Sequence, residues 1–122
     1  MNTVRERLRA PLQIETLQGL FGDDNESIRE ILATYLDDLT KNCEALERAV
    51  ADRDRVRASR VAHSMKGASA NVGANDLSAL CADFEHRAKD GPWEDLQREL
   101  ARVRAEAAEV LAGVRAELTH LA

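Results

Sequence analysis

Four residues in one short stretch have the types and spacing for chemistry: His63, Lys66, Gly67 and Gly73, within Val61-Ala-His63-Ser-Met-Lys66-Gly67-Ala-Ser-Ala-Asn-Val-Gly73. On a helix, positions three and four residues apart share a face, so His63, Lys66 and Gly67 stand together. A neutral imidazole is a competent nucleophile near neutral pH. A neighbouring ammonium steadies anionic oxygens. A glycine removes the side chain that would hold a partner at a distance. The combination suits exchange of a phosphoryl group with a docking partner, provided that His63 faces water.

Helical phase decides which way it faces. Advancing about 100° per residue places Val61, Met65, Ala68 and Val72 within about 40° of the side opposite His63, and that apolar side is expected to bury. Lys66, Gly67, Arg60 and Ala70 fall within about 60° of His63, as do Val56 and Ser59. The spacing therefore predicts an exposed His63, with Val56, Ser59, Arg60 and Ala70 as candidate partner-binding residues around it. Gly67 weakens a helix by about 1 kcal/mol relative to alanine and needs a reason. With Ser59 and Ala70 also small, the imidazole stands over a nearly flat surface. The bland readings are an inert surface histidine and a solvated lysine. The same helix carries Arg53, Arg55, Arg57 and Arg60 against Asp52 and Asp54. Such a run is ordinarily a solvated face, but it can also steer an acidic partner.

The elements that must position these residues are all helical. Pro11 opens a short apolar segment with Leu12, Ile14, Leu17, Leu20 and Phe21, and Gly22-Asp-Asp-Asn25 reads as a turn with Asp24 as N-cap. Ile28, Leu32, Tyr35, Leu39, Leu46 and Ala49 mark a long helix from about 25 to 51, its stripe widened by Cys43 and others. The helix bearing His63 is expected from Asp52 or Arg53 to Val72, closed by Gly73 in a left-handed cap. A further helix spans about 75–89. Asp90-Gly91-Pro92 breaks the chain before a last helix to about Leu121, whose Ala-, Glu- and Arg-rich end could pack or overhang. Both prolines, Pro11 and Pro92, sit where a helix could start. The fold class is all-α: an antiparallel up-down four-helix bundle with a short additional N-terminal helix. Residues 1–10 are a charged segment that can fray, and 11–122 form the bundle domain.

Composition agrees. The chain has 122 residues, 44% hydrophobic and 32% charged but only 3% aromatic, which suits one soluble helical domain. Its net charge of −5 argues against nucleic acid as a partner. Cys43 and Cys81 lie within amphipathic patterns and read as small buried hydrophobes in a reducing compartment. No stretch is long and apolar enough for a membrane span, and no signal-peptide core follows Met1. A cytoplasmic location is expected. Length and Met1 favour a free-standing protein over a domain of a larger one.

The run from His63 to Gly73 resembles the signature of histidine-containing phosphotransfer domains, HxxKGxxxxxG, unbroken at His63, Lys66, Gly67 and Gly73. Leu77, Leu80, Cys81 and Glu85 also resemble the family's next helix, and the helix order covers nearly the whole chain. The resemblance implies a bundle that accepts a phosphoryl group on His63 from a phospho-aspartate of a response-regulator receiver domain and passes it to another receiver. Lys66 would assist electrostatically, Gly67 would permit close approach, and Gly73 would be structural. Ala68 stands where many members have serine, although Ser69 follows. Partners would be receivers and a hybrid sensor histidine kinase. The chain has no P-loop or kinase-type glycine loop and is not expected to be a stand-alone enzyme. It is expected to bind no cofactor, with Mg²⁺ held by the partner receiver.

Two other readings compete. In one, the bundle binds a kinase or receiver without ever being phosphorylated. In the other it holds a metal or haem, but His63, His86 and His120 form no recognisable ligand set, and no Glu-x-x-His repeat pairs across helices.

Overall fold

The computed structural model describes residues 11–121, so the charged segment 1–10 lies outside the described residues. Five helices follow in order: α1 (Glu15–Phe21), α2 (Asn25–Ala51), α3 (Arg55–Asn71), α4 (Asn75–Ala88) and α5 (Trp93–Leu121). No strand occurs among the described residues. Each of α2 to α5 packs against its neighbours in sequence, and α5 returns to close the ring against α2. Contacts between α2 and α5 show the antiparallel sense. Arg29 near the start of α2 donates to the Leu121 carbonyl at the end of α5, and Glu47 near the end of α2 pairs with Arg104 at 2.8 Å.

The bundle forms because each long helix offers one apolar stripe that only its neighbours can cover. Ile28, Leu32, Leu39 and Leu46 of α2 meet Leu77, Cys81 and Phe84 of α4 and Val103, Val110 and Val114 of α5, all buried. Burial of Val110 and Val114 settles the open question about α5: its second half is part of the core. Residue 99 is an exception to the apolar pattern. Glu99 lies on the buried face between Leu96 and Val103, with Oε1 near Arg102 at 3.4 Å and Oε2 without a hydrogen-bond partner among the described residues.

Caps set the helix ends. Asp24 accepts from the Ser27 amide at 3.1 Å and the Ser27 hydroxyl at 2.8 Å, opening α2 as the sequence predicts. The start of α3 differs from expectation by two or three residues. Asp52 and Arg53 belong to the turn, Arg53 has φ +53°, and Asp54 is the N-cap, accepting from the Arg57 amide at 3.1 Å. The Asp54 amide in turn bonds back to the Ala49 carbonyl at 2.9 Å, which closes α2 in a Schellman-type cap with arginine in the left-handed position. At the other end of α3 the same device recurs with the expected glycine: Gly73 has φ +81°, and the Ala74 amide bonds to the Ser69 carbonyl at 2.8 Å.

Several local expectations are corrected. Pro11 does not start a helix, since α1 begins at Glu15. Pro92 precedes α5, its carbonyl accepting from the Asp95 and Leu96 amides. In the N-terminal segment Leu17 is buried, but Leu20 is 70% exposed and Phe21 38%, because α1 is short and touches the bundle along one line. Residues 12–13 cover one end of the bundle. The Gln13 amide donates to the Gly73 carbonyl at 2.9 Å, and a Cβ placed on Gly113 would meet Leu12 at 3.7 Å. Cys81 is buried, and burial pushes its thiol up to about 12. Cys43 is only half-buried, with its thiol pushed up to about 11, mainly by desolvation. Both are free thiols.

The buried face of α3 is rotated from the side directly opposite His63. Ala58, Ala62, Met65 and Ser69 are buried, whereas Val61 and Ala68 are half-buried. The shift brings Ser69 into the core, where its hydroxyl pairs with the Tyr35 hydroxyl at 2.8 Å. Burial raises the Tyr35 phenol to about 12, so the pair is neutral and each oxygen satisfies the other.

Candidate functional site

The solvent side of α3 carries the site. His63 projects with two-thirds of its side chain exposed (66%), and its Nδ1 lies 3.0 Å from Oε2 of Glu85 on α4. The other carboxylate oxygen, Oε1, accepts from Lys66 Nζ at 2.9 Å. Glu85 is thus one anion shared between the imidazole and the ammonium, and its side chain is only 20% exposed. These contacts hold the Glu85 carboxyl below the usual carboxylate range. The Lys66 hydrogen bond contributes most and His63 adds to it, against the opposing effect of partial burial. One further bond, from the Ser78 hydroxyl to the Lys66 carbonyl at 2.9 Å, ties α4 to α3 beside the pair.

The geometry selects a tautomer. An ionised carboxylate only accepts, so Nδ1 carries the proton and donates it to Glu85. Nε2 then keeps its lone pair on a ring that is mostly in water. The arrangement orients a nucleophilic nitrogen and leaves the opposite nitrogen to hold the proton.

Gly67 lies one turn from His63, and a Cβ built on it would meet nothing within 4 Å. Among the described residues, no packing demands glycine there. Val56 is 62% exposed, among the largest exposures of any bulky apolar side chain described. Arg60 and Ala70 are exposed and Ser59 is half-buried. Val56, Ser59 and Arg60 line a groove with Arg55 and Lys89, whereas Ala70 stands beyond His63 toward the other end of the helix. His63 and Lys66 are brought together as their spacing predicts, though through Glu85. The sequence reading gave Glu85 no role at the site. Its signal was available: it follows buried Phe84 on α4, so it sits at the margin of the buried face and points along the α3 seam. Among the described residues, no group of three or more His, Cys, Asp or Glu could hold a metal ion.

Fold and site together define an antiparallel helical bundle that presents one oriented histidine on its surface. A family model described as the Hpt domain matches residues 30–117, which takes in nearly all of α2 and most of α5, and the chain belongs to this family. Its role is that of a histidine phosphotransfer domain in a two-component phosphorelay, a carrier that works with receiver domains and histidine kinases. Two solved structures are similar. One is the HPT domain of an Hpt sensor hybrid histidine kinase from Shewanella, 24% identical, with a TM-score of 0.79 over 91% of this chain and 96% of that one. The other is histidine-containing phosphotransfer protein B from Pseudomonas aeruginosa PAO1, also 24% identical, with a TM-score of 0.84 over 92% and 97%. At this identity the likeness concerns the fold. A search of curated proteins finds no match. Among the described residues, no helix is long and apolar enough to cross a membrane.

Proposed function

We propose that His63 is the residue that carries the phosphoryl group, taking it from a receiver's phospho-aspartate and giving it to a second receiver. The observation that carries this reading is the hydrogen bond from Nδ1 to Glu85. It leaves Nε2 as the attacking atom. The Nε2–P bond forms as the P–O bond to the aspartyl carboxylate breaks. The electron pair leaves with that carboxylate, and the proton stays on Nδ1, where Glu85 offsets the charge that develops on the ring. Lys66 lies on the same carboxylate and supplies a cation for the arriving phosphoryl oxygens. Gly67 lets the partner's rim come close, and Val56, Ser59, Arg60 and Ala70 form the surface around it. Mg²⁺ would be held by the partner receiver's acidic pocket and would supply charge balance there, while this chain supplies positioning. The aspartyl phosphate is already activated, so the carrier needs no nucleotide site. Incubation with phosphorylated receiver should give an acid-labile, base-stable adduct. His63→Gln should abolish it, while variants of the exposed His86 and His120 should keep it. Labelling that survives in His63→Gln would reject the assignment.

A further inference from the structure

The groove that adjoins His63 has a composition of its own. It lies directly along the helix axis from the imidazole, toward the start of α3, and encloses about 340 Å³ lined by Arg55, Val56, Ser59, Arg60 and Lys89. Three of these five are cations and none is acidic, in a chain whose net charge is −5. Lys89 comes from the end of α4, so two helices converge to make the patch. Arg55 is held in place: its guanidinium sits over the Trp93 ring, 4.5 Å from the centroid, and donates to the Ala88 carbonyl at 3.3 Å. Arg60 and Lys89 are exposed and make no ion pair among the described residues. Between them Val56 presents bare apolar surface. An ordinary solvated face interleaves both signs of charge. This one concentrates one sign around an apolar centre, next to the nucleophile.

The opposite flank of α3 has the reverse character. A second groove, about 390 Å³, lies between α2 and α3 toward the far end of α3, and Glu30 and Asp38 stand on its lining with Asn71. His63 lies between the two grooves along the helix.

Resting on the reading of His63 above, we infer that the basic groove is the docking site for an acidic, apolar-tipped segment of the receiver, and that the pair of grooves fixes which way round the receiver sits. Carboxylates of that segment lie over Arg60 and Lys89, and its apolar side chain covers Val56. A receiver turned end for end would bring the same acidic segment against Glu30 and Asp38, where like charge rejects it. Selection among receivers then depends on the charge of the segment beside the phospho-aspartate, which every receiver must bring to this face.

The test uses the full chain and a phosphorylated receiver domain that transfers to the wild type. The double variant Arg60→Glu/Lys89→Glu should lower kcat/KM by about ten-fold or more at about 0.1 M salt, where charges interact over about 10 Å, and the difference should shrink toward about 1 M, where the range is about 3 Å. The rate at saturating receiver should change little. Arg104→Glu/Arg115→Glu, with the same change in net charge on exposed positions of α5, which packs against α2 and α4, should transfer like wild type. Calorimetric titration with the unphosphorylated receiver separates the two claims. His63→Gln should still bind while accepting no phosphoryl group, and Arg60→Glu/Lys89→Glu should bind weakly while keeping His63 reactive. Equal kcat/KM and equal salt dependence in wild type and groove variant would overturn the groove and leave His63 standing. If no receiver labels the wild type, both fall.

Discussion

Gly67 and Gly73 belong to one sequence motif, yet the molecule uses them for opposite reasons. Gly73 is required from within. Its φ of +81° is left-handed, and a Cβ there would run into the Gln13 carbonyl oxygen and lie 2.8 Å from Thr16 Oγ1. Gly67 is helical, and a Cβ there would touch nothing within 4 Å. The first glycine closes a helix and receives the N-terminal segment. The second leaves an opening that only another molecule can fill. A motif written as two glycines thus combines a folding constraint with a docking constraint, and substitution should separate them.

The largest effect should come from the inside position. Gly73→Ala forces an L side chain into a left-handed, crowded site and should destabilise the bundle by about 2–3 kcal/mol. Denaturant melts measure this, and transfer per folded molecule should be nearly unchanged. Next, Tyr35→Phe on α2 leaves the Ser69 hydroxyl on the buried face of α3 without its partner and should cost about 1–2 kcal/mol. Adding Ser69→Ala should recover part of that loss, and simple additivity of the two changes would deny the pair any coupling. Gly67→Ala should act with the opposite sign, stabilising the fold by up to about 1 kcal/mol while slowing transfer. A variant that is more stable and transfers at full speed would end the docking explanation for Gly67. The smallest effect concerns Glu85. Its folded pKa lies below the ordinary value of 4.5, so its contribution is present above that pH and is lost as pH falls through the lower, folded value. Wild type and Glu85→Gln should therefore differ by about 1 kcal/mol or less at neutral pH, the scale of partly exposed pairs, and converge in acid.

Much of this was legible because amphipathic periodicity and capping are local. The limits of α2, the turn at Gly73 and the exposure of His63 all follow from residues within a few turns of one another. What escaped was either non-local or off-pattern. Glu85 meets His63 across 22 positions of sequence, and nothing in the spacing along one helix reveals which residue the next helix brings to the seam. Arg53 adopts the left-handed cap position without the glycine that marks it, so the start of α3 was placed too early. Ser69 enters the sequence reading only as the serine that follows Ala68, and its pairing with Tyr35, which draws the buried face toward it, spans two helices. Glu99 stands on the core face between Leu96 and Val103, where an apolar residue is the rule. For Glu85 and Ser69 a tertiary partner decides the outcome, and for Arg53 a local cap that lacks its usual residue does.

The two thiols provide a measure of these differences that needs no label. Thiolate is the reactive form, and burial holds the Cys81 thiol near 12 and the Cys43 thiol near 11, so both are nearly silent at neutral pH while the bundle is closed. Alkylation of Cys81 should therefore count openings of the helices rather than surface encounters. Gly73→Ala should quicken that count and Gly67→Ala slow it, which turns a core cysteine into a clock for the distinction between the two glycines.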